Sequence, residues 1–122
     1  MTIVSHYKNI IAYTTQDNSE IRELMHPDIQ GNKHQSLAEA TLKLGEKTLL
    51  HFHIKSEELY FILKGEGEMQ LEDKILHALS GDTICIPPGT QHCIKNTGSD
   101  DLKILCCCSP AYSHDDTMLV TT

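Results

Sequence analysis

From residue 36 onward the chain is interrupted at short intervals by turn-forming residues. They fall at Gly45, Gly65-Glu66-Gly67, Glu72-Asp73-Lys74, Ser80-Gly81-Asp82, Pro87-Pro88-Gly89 and Thr97-Gly98-Ser99. Turns at a spacing of roughly 8–15 residues leave room for short strands and none for long helices, the pattern of a β-sandwich or barrel. Segments 36–44, 47–54, 58–64, 67–71 and 102–108 read as strands, with two more, 83–86 and 91–95, flanking the Pro-Pro-Gly turn. The spacing predicts an all-β sandwich or barrel over 36–112. Residues 1–35 form an N-terminal extension packed on it, and 113–122 form a tail.

Residues 58–64 show the strand pattern well. Glu58, Tyr60 and Ile62 share one face, and Leu59, Phe61 and Leu63 share the other. The second face is wholly apolar and needs cover, either from an N-terminal strand of the same chain or from a second subunit. The first 35 residues are less regular. Ser19 can cap one helical turn carrying Ile21, Leu24 and Met25 and ended by Pro27; Glu20–Leu24 reads equally well as a strand, and the helical or irregular reading is preferred.

Composition narrows the function classes. Ten Lys and Arg against seventeen Asp and Glu give a net charge of −7, which disfavours nucleic acid and anionic membrane as partners. Aromatic residues are 5% and Trp is absent, too few for a base-stacking platform. No apolar run reaches the roughly 18 residues of a membrane span, and the N-terminus lacks a signal-peptide profile, so a cytoplasmic location is expected. The five cysteines, Cys85, Cys93, Cys106, Cys107 and Cys108, are odd in number and form no C-x-x-C pair, so neither a disulfide framework nor a zinc ribbon is expected.

Eight histidines are present, and two alternate as His51-Phe52-His53 at the end of an apolar segment. Period two places both imidazoles on one face, about 6–7 Å apart along the chain, where they can converge on one ion. Glu58 follows across a short turn that can bring it back opposite the pair, and His92 follows the stiff Pro87-Pro88-Gly89 turn. Three imidazoles and a carboxylate suit iron, manganese, nickel, cobalt, copper or zinc. An isolated H-x-H is structural far more often than metal-binding; what changes its weight is the company it keeps.

Residues 45–65 read G-x5-H-x-H-x4-E-x6-G, and residues 81–96 read G-x5-P-x-G-x2-H-x3-N, with fifteen residues between Gly65 and Gly81. Both patterns, in this order and with this gap, resemble the two motifs of the small single-domain cupins. The resemblance implies a double-stranded β-helix, or jelly-roll barrel, holding one divalent transition metal through His51, His53, Glu58 and His92. It selects Glu58 over the adjacent Glu57 and implies a homodimer. A divalent ion with these four ligands carries a net charge of about +1 and keeps two positions open if six-coordinate, which favours small anionic oxygen donors.

Tyr60 shares the face of Glu58, Gln91 precedes His92, and Glu39 interrupts an apolar strand. These three are the candidate catalytic groups, although Glu39 reads equally as an exposed strand charge. Cys106 and Cys108 share a face and read first as core filling. His114-Asp115-Asp116 reads as solvated tail. The expected function is a metal-dependent enzyme of the oxygenase (dioxygenase-like) or isomerase/lyase type acting on a small oxygenated anion. The alternative is a non-catalytic cupin that binds or senses a small ligand around a structural metal.

Overall fold

A computed structural model describes residues 2–121. Among these, eleven strands follow in chain order: β1 (Tyr13–Thr14), β2 (Glu20–Met25), β3 (Ser36–Leu42), β4 (His51–His53), β5 (Glu57–Lys64), β6 (Glu66–Leu71), β7 (Lys74–Leu79), β8 (Thr83–Ile86), β9 (His92–Asn96), β10 (Leu102–Ser109) and β11 (Thr117–Leu119). They form two antiparallel sheets, one of six strands in the order β1-β2-β3-β10-β5-β8 and one of five in the order β11-β4-β9-β6-β7. This is the expected all-β jelly roll. The core lies between the sheets and is filled by Leu42, Ile62, Met69, Ile86, Ile94, Leu102 and Ile104, each at most 1% exposed. No helix among the described residues is long and apolar enough to cross a membrane.

The expected strands are present with ends that differ by at most two residues, and the exceptions have local causes. Residues 20–25 form β2 rather than a helical turn. Ile21 and Glu23 pair with Ala40 and Ala38, so β2 occupies an edge of β3 that would otherwise expose unpaired backbone groups. The expected strand over 47–54 shrinks to β4. Upstream of it, Thr48 Oγ1 accepts the Ile94 amide at 3.0 Å, and the Leu49 amide is drawn to the Asp17 carbonyl at 2.7 Å. Strand β7 was not expected. Ile75 and Leu79 face solvent while Leu76 and Ala78 face the core, so apolar residues stand on both faces and no polar/apolar alternation marks it. At the far end, residues 117–119 are paired in β11 against β4, Thr117 opposite His53 and Leu119 opposite His51.

The N-terminal strands extend the six-stranded sheet sideways and leave the outer face of β5 uncovered. Leu59, Phe61 and Leu63 stay 36–44% exposed, while Glu58, Tyr60 and Ile62 are buried on the inner face.

Two motif residues have purely structural roles. Asn96 donates from Nδ2 to the carbonyls of Leu42 and Asp100, both at 2.9 Å, and its Oδ1 accepts the Gly98 amide at 3.0 Å. Gly65 joins β5 to β6 at φ +85°, and a Cβ there would stand 2.6 Å from the Asp101 carbonyl oxygen. Positive φ and a clash with rigid backbone act together, so Gly65→Ala is expected to cost about 1–3 kcal/mol. Urea denaturation would show this as a lower midpoint at unchanged slope; an unchanged midpoint would mean that the corner relaxes freely.

Candidate metal centre

His51 and His53 lie on β4 with both side chains turned inward and Phe52 turned the other way, half-buried. His92 opens β9 directly opposite His51 in the ladder. The ring centroids are 4.2 Å apart for His51 and His92, 5.3 Å for His51 and His53, and 5.5 Å for His53 and His92. All three side chains are buried, and one nitrogen of each falls within a group no more than 4.8 Å across. Glu58 reaches the same point from the opposite sheet, at the start of β5. Its Oε1 lies 3.1 Å from His53 Nε2 and 3.5 Å from His92 Nε2. Glu57 is exposed, as its place one residue earlier on a strand requires.

The crossing between sheets, residues 54–56, is held by the C-terminal segment. The Asp116 carboxylate accepts the amides of Lys55 at 2.8 Å and Ser56 at 3.0 Å, and Ser56 Oγ donates to the Pro110 carbonyl at 2.7 Å. Asp116, read from the sequence as part of a solvated tail, is therefore a brace between His53 and Glu58.

The tautomers follow from the hydrogen bonds. His51 Nδ1 lies 2.7 Å from the Leu49 carbonyl and His92 Nδ1 lies 2.9 Å from the Thr90 carbonyl. A carbonyl only accepts, so both Nδ1 atoms carry the proton. His53 Nδ1 lies 3.0 Å from Thr117 Oγ1, whose own proton goes to the Ser113 carbonyl at 2.8 Å. Thr117 must therefore accept, and His53 Nδ1 donates as well. In the neutral rings all three Nε2 atoms present lone pairs inward. His92 Nε2 is buried without a hydrogen-bond partner. Lone pairs facing one another and a carboxylate oxygen at 3.1–3.5 Å repel unless a cation stands among them. The donor set, three imidazole nitrogens and a carboxylate oxygen, fits a divalent transition metal.

Ionisation agrees. Burial would push the Glu58 carboxyl up, but hydrogen bonding to His53 and His92 and their charge outweigh it and hold it down to about 2. Burial, aided by the charge of His92, lowers His51 below its ordinary value. Cys108 donates its thiol to Glu58 Oε2 at 3.3 Å. Burial, with the Glu58 charge added, pushes the Cys108 and Cys106 thiols up, so both keep their protons.

The cluster opens on an interior cavity of about 40 Å³. Its walls are largely apolar, among them Ala38, Ala40 and Ile104. Of the three candidate catalytic residues, Tyr60 lines it, with its ring 6.0 Å from that of His92 and its hydroxyl held protonated, chiefly by burial. Glu39 does not. Alternation along β3 sends Ala38 and Ala40 inward and Glu39 outward, yet Glu39 is not an exposed strand charge either: it is 5% exposed, accepts from the Tyr7 hydroxyl and lies 3.7 Å from Lys103 Nζ. Gln91 also stands outside the cavity, and its backbone pairs with Glu72.

Two cavity carboxylates escaped the sequence reading. Glu23 on β2 is 5% exposed and lines the cavity; Oε1 accepts from Tyr13, Oε2 has no partner, and burial pushes its carboxyl up. Asp17 lies in the turn before β2, with Oδ2 3.4 Å from His51 Nε2. The available signals were faint: alternation of Ile21 with Glu23, and a run of turn-forming polar residues from Thr14 to Ser19.

The sequence matches the Cupin domain family over residues 38–108. The chain is a cupin. It is 52% identical over 118 residues to an uncharacterized protein of Methanocaldococcus jannaschii, covering 97% of this chain and 94% of that one. It is 34% identical over 86 residues to the oxalate-binding protein of Thermotoga maritima, covering 70% of this chain and 71% of that one. The crystal structure of a predicted oxalate decarboxylase from Thermotoga maritima superimposes with a TM-score of 0.76 at 27% identity, over 90% of this cupin and 99% of that chain.

A pH dependence follows from the two shifts. His51 is lowered from 6.5, so the folded state binds this proton less readily than the unfolded chain. Its contribution to stability is complete above pH 6.5 and is lost as pH falls below that value. Glu58 is lowered from 4.5 to about 2, so its contribution is present above pH 4.5 and is lost between there and about 2. Thermal midpoints of the metal-free protein should be flat from pH 8 to about 7 and then fall in two stages. A flat profile down to pH 5 would show that His51 does not resist protonation.

Proposed function

We propose that this cupin is a metal-dependent enzyme acting on a small anionic, oxygen-rich molecule of about the size of oxalate. His51, His53, His92 and Glu58 hold one divalent ion from the set iron, manganese, nickel, zinc, cobalt and copper. The observation that carries this reading is the inward convergence of three Nε2 lone pairs, one without any partner. The bound ion supplies a Lewis acid or an oxygen-activating centre.

The chain's own residues do the rest. Leu49, Thr90 and Thr117 hold the imidazoles in their Nε2-inward tautomers. The apolar walls exclude water and limit the substrate to a few heavy atoms, since one water alone needs roughly 10–15 Å³ of a cavity of 40 Å³. Tyr60 keeps its proton and donates a hydrogen bond to a bound oxygen. Glu23 has a raised pKa and a free Oε2, and exchanges a proton with the substrate. The names of the Thermotoga maritima relatives support a dicarboxylate as the first candidate.

A second reading, a binding module without turnover, is favoured by the outward placement of Glu39 and Gln91 and by the closed hydrogen-bonding of Cys108. One pair of measurements separates them. Protein purified without chelators and supplied with each metal should bind oxalate by calorimetry, and isotope-labelled oxalate or a related small acid should be consumed. Glu23→Gln should lower turnover by about 10²-fold or more with metal content unchanged. Binding without consumption under every metal would favour the binding module.

The ligand assignment is checked by elemental analysis. His51→Ala or His92→Ala should remove most of the bound metal, and Glu57→Ala should remove none; equal loss from Glu57→Ala would overturn the choice of Glu58. We also propose that the exposed face of Leu59, Phe61 and Leu63 is covered by a second copy of the chain. Light scattering should return the mass of a dimer at micromolar concentration; a monomer there would remove this assembly.

A further inference from the structure

We propose that Asp17, which lies outside both cupin motifs, is a fifth protein ligand of the ion, so that the centre is three imidazoles and two carboxylates. The inference rests on the metal-binding reading above and adds a residue to it. Asp17 Oδ2 lies 3.4 Å from His51 Nε2. Glu58 Oε1 stands at the corresponding distances, 3.1 and 3.5 Å, from the other two Nε2 atoms. Adjacent donors about 2.1 Å from one octahedral ion lie about 3 Å apart, and each carboxylate approaches that spacing with its nearest imidazoles, Asp17 with His51 and Glu58 with His53 and His92. His51 donates from Nδ1 and presents a lone pair at Nε2. Two acceptors facing each other at 3.4 Å require a cation between them.

The carboxylate is aimed by its other oxygen. Oδ1 accepts from the Ser19 amide at 3.1 Å, from Ser19 Oγ at 2.7 Å and from Thr15 Oγ1. Three donors on Oδ1 leave Oδ2 for the ion. The turn is also tied to the groups that orient the histidines. The Asp17 carbonyl accepts the amide of Leu49, whose carbonyl holds His51 Nδ1. Gln16 Nε2 donates at 3.0 Å to the carbonyl of Thr117, whose hydroxyl holds His53 Nδ1. Asp17 and the histidines therefore share one rigid frame. Asp17 lines the cavity, and its side chain is only 14% exposed.

Two consequences follow. A divalent ion with two carboxylates and three neutral imidazoles carries no net charge, where the four-ligand site would carry +1. Five protein donors leave one exchangeable position on a six-coordinate ion, so a chelating anion must displace Asp17, whereas a one-point ligand need not.

The test uses Mn(II) alone as probe on the full chain. The wild type should bind one Mn(II), and the water-proton relaxivity of the complex should correspond to one exchanging water. In Asp17→Asn the affinity should fall about tenfold or more, and relaxivity should rise by the share of one additional water. Asn keeps an Oδ1 acceptor for the Thr15–Ser19 turn, so the metal-free variant should melt with the wild type. If it does not, Asp17→Ser, whose hydroxyl also accepts the Ser19 amide, is the variant read. Glu57→Gln is the control and should match the wild type. Unchanged affinity and relaxivity in both Asp17 variants would overturn this assignment and leave the four-ligand centre standing. Lowered affinity with unchanged relaxivity would overturn it too, because Asp17 would then act from outside the coordination sphere. A wild type that takes up no Mn(II), and no other divalent transition metal, would overturn both readings.

Discussion

A carboxylate and three imidazoles inside a barrel lose their hydration, and that loss has to be offset by partners of opposite polarity. Half of the compensation is in the protein: each Nδ1 donates to a fixed acceptor, on Leu49, Thr90 or Thr117. The other half is left open by the same bonds. Committing every Nδ1 proton outward turns every Nε2 lone pair inward, where Glu58 adds a charge of the same polarity. The interior is thereby organised around a positive charge. Without an ion, a proton shared between imidazole and Glu58 can meet part of that demand, which accounts for the depressed Glu58 carboxyl. A metal held by these donors would replace that proton.

The jelly roll meets this demand because its two sheets bring donors from opposite sides. The histidines stand on the five-stranded sheet and Glu58 on the six-stranded one, so the site measures the separation of the sheets. Anything that lets the sheets slide disperses the donors. The crossing at 54–56 links them beside the site, and Asp116, Pro110 and Thr117 hold it from a segment more than 50 residues later in the chain. The N-terminal turn does the same at the other rim through Leu49 and Thr117. Both chain ends therefore act on the site mechanically, and Asp17 and Glu23 bring two further carboxylates to it.

Those carboxylates alter the chemistry open to the cavity. The buried Tyr60, Cys106 and Cys108 groups hold their protons and can only donate. Glu23, raised by burial and with one free oxygen, is the group with freedom to give and take a proton. Wall residues such as Ala38 and Ala40 are small, which leaves the cavity open on that side.

Much of the centre was legible in the linear chain. Period-two alternation put His51 and His53 on one face and turn residues delimited the strands, relations within about one hairpin that strand geometry carries directly. The resemblance to the cupin motifs, not local geometry, selected Glu58 over Glu57 and joined His92 to the set. The same alternation left Glu39 undecided, because an acidic residue between two alanines does not say which face is inside. Strand pairing decided it, by placing Ala38 and Ala40 on the cavity wall. Strand β2, strand β11 and the roles of Asp17, Glu23, Asp116 and Thr117 were decided by tertiary structure alone. They arise from contacts between segments far apart in the chain, and in the sequence such contacts leave at most the faint alternation of β2 and the polar turn before it. The sequence by itself determined the barrel and the inner ring of donors, since the first is encoded in local geometry and the second in the two motifs. Which groups orient those donors, and which further carboxylates reach them, depended on how the two ends of the chain close over the barrel.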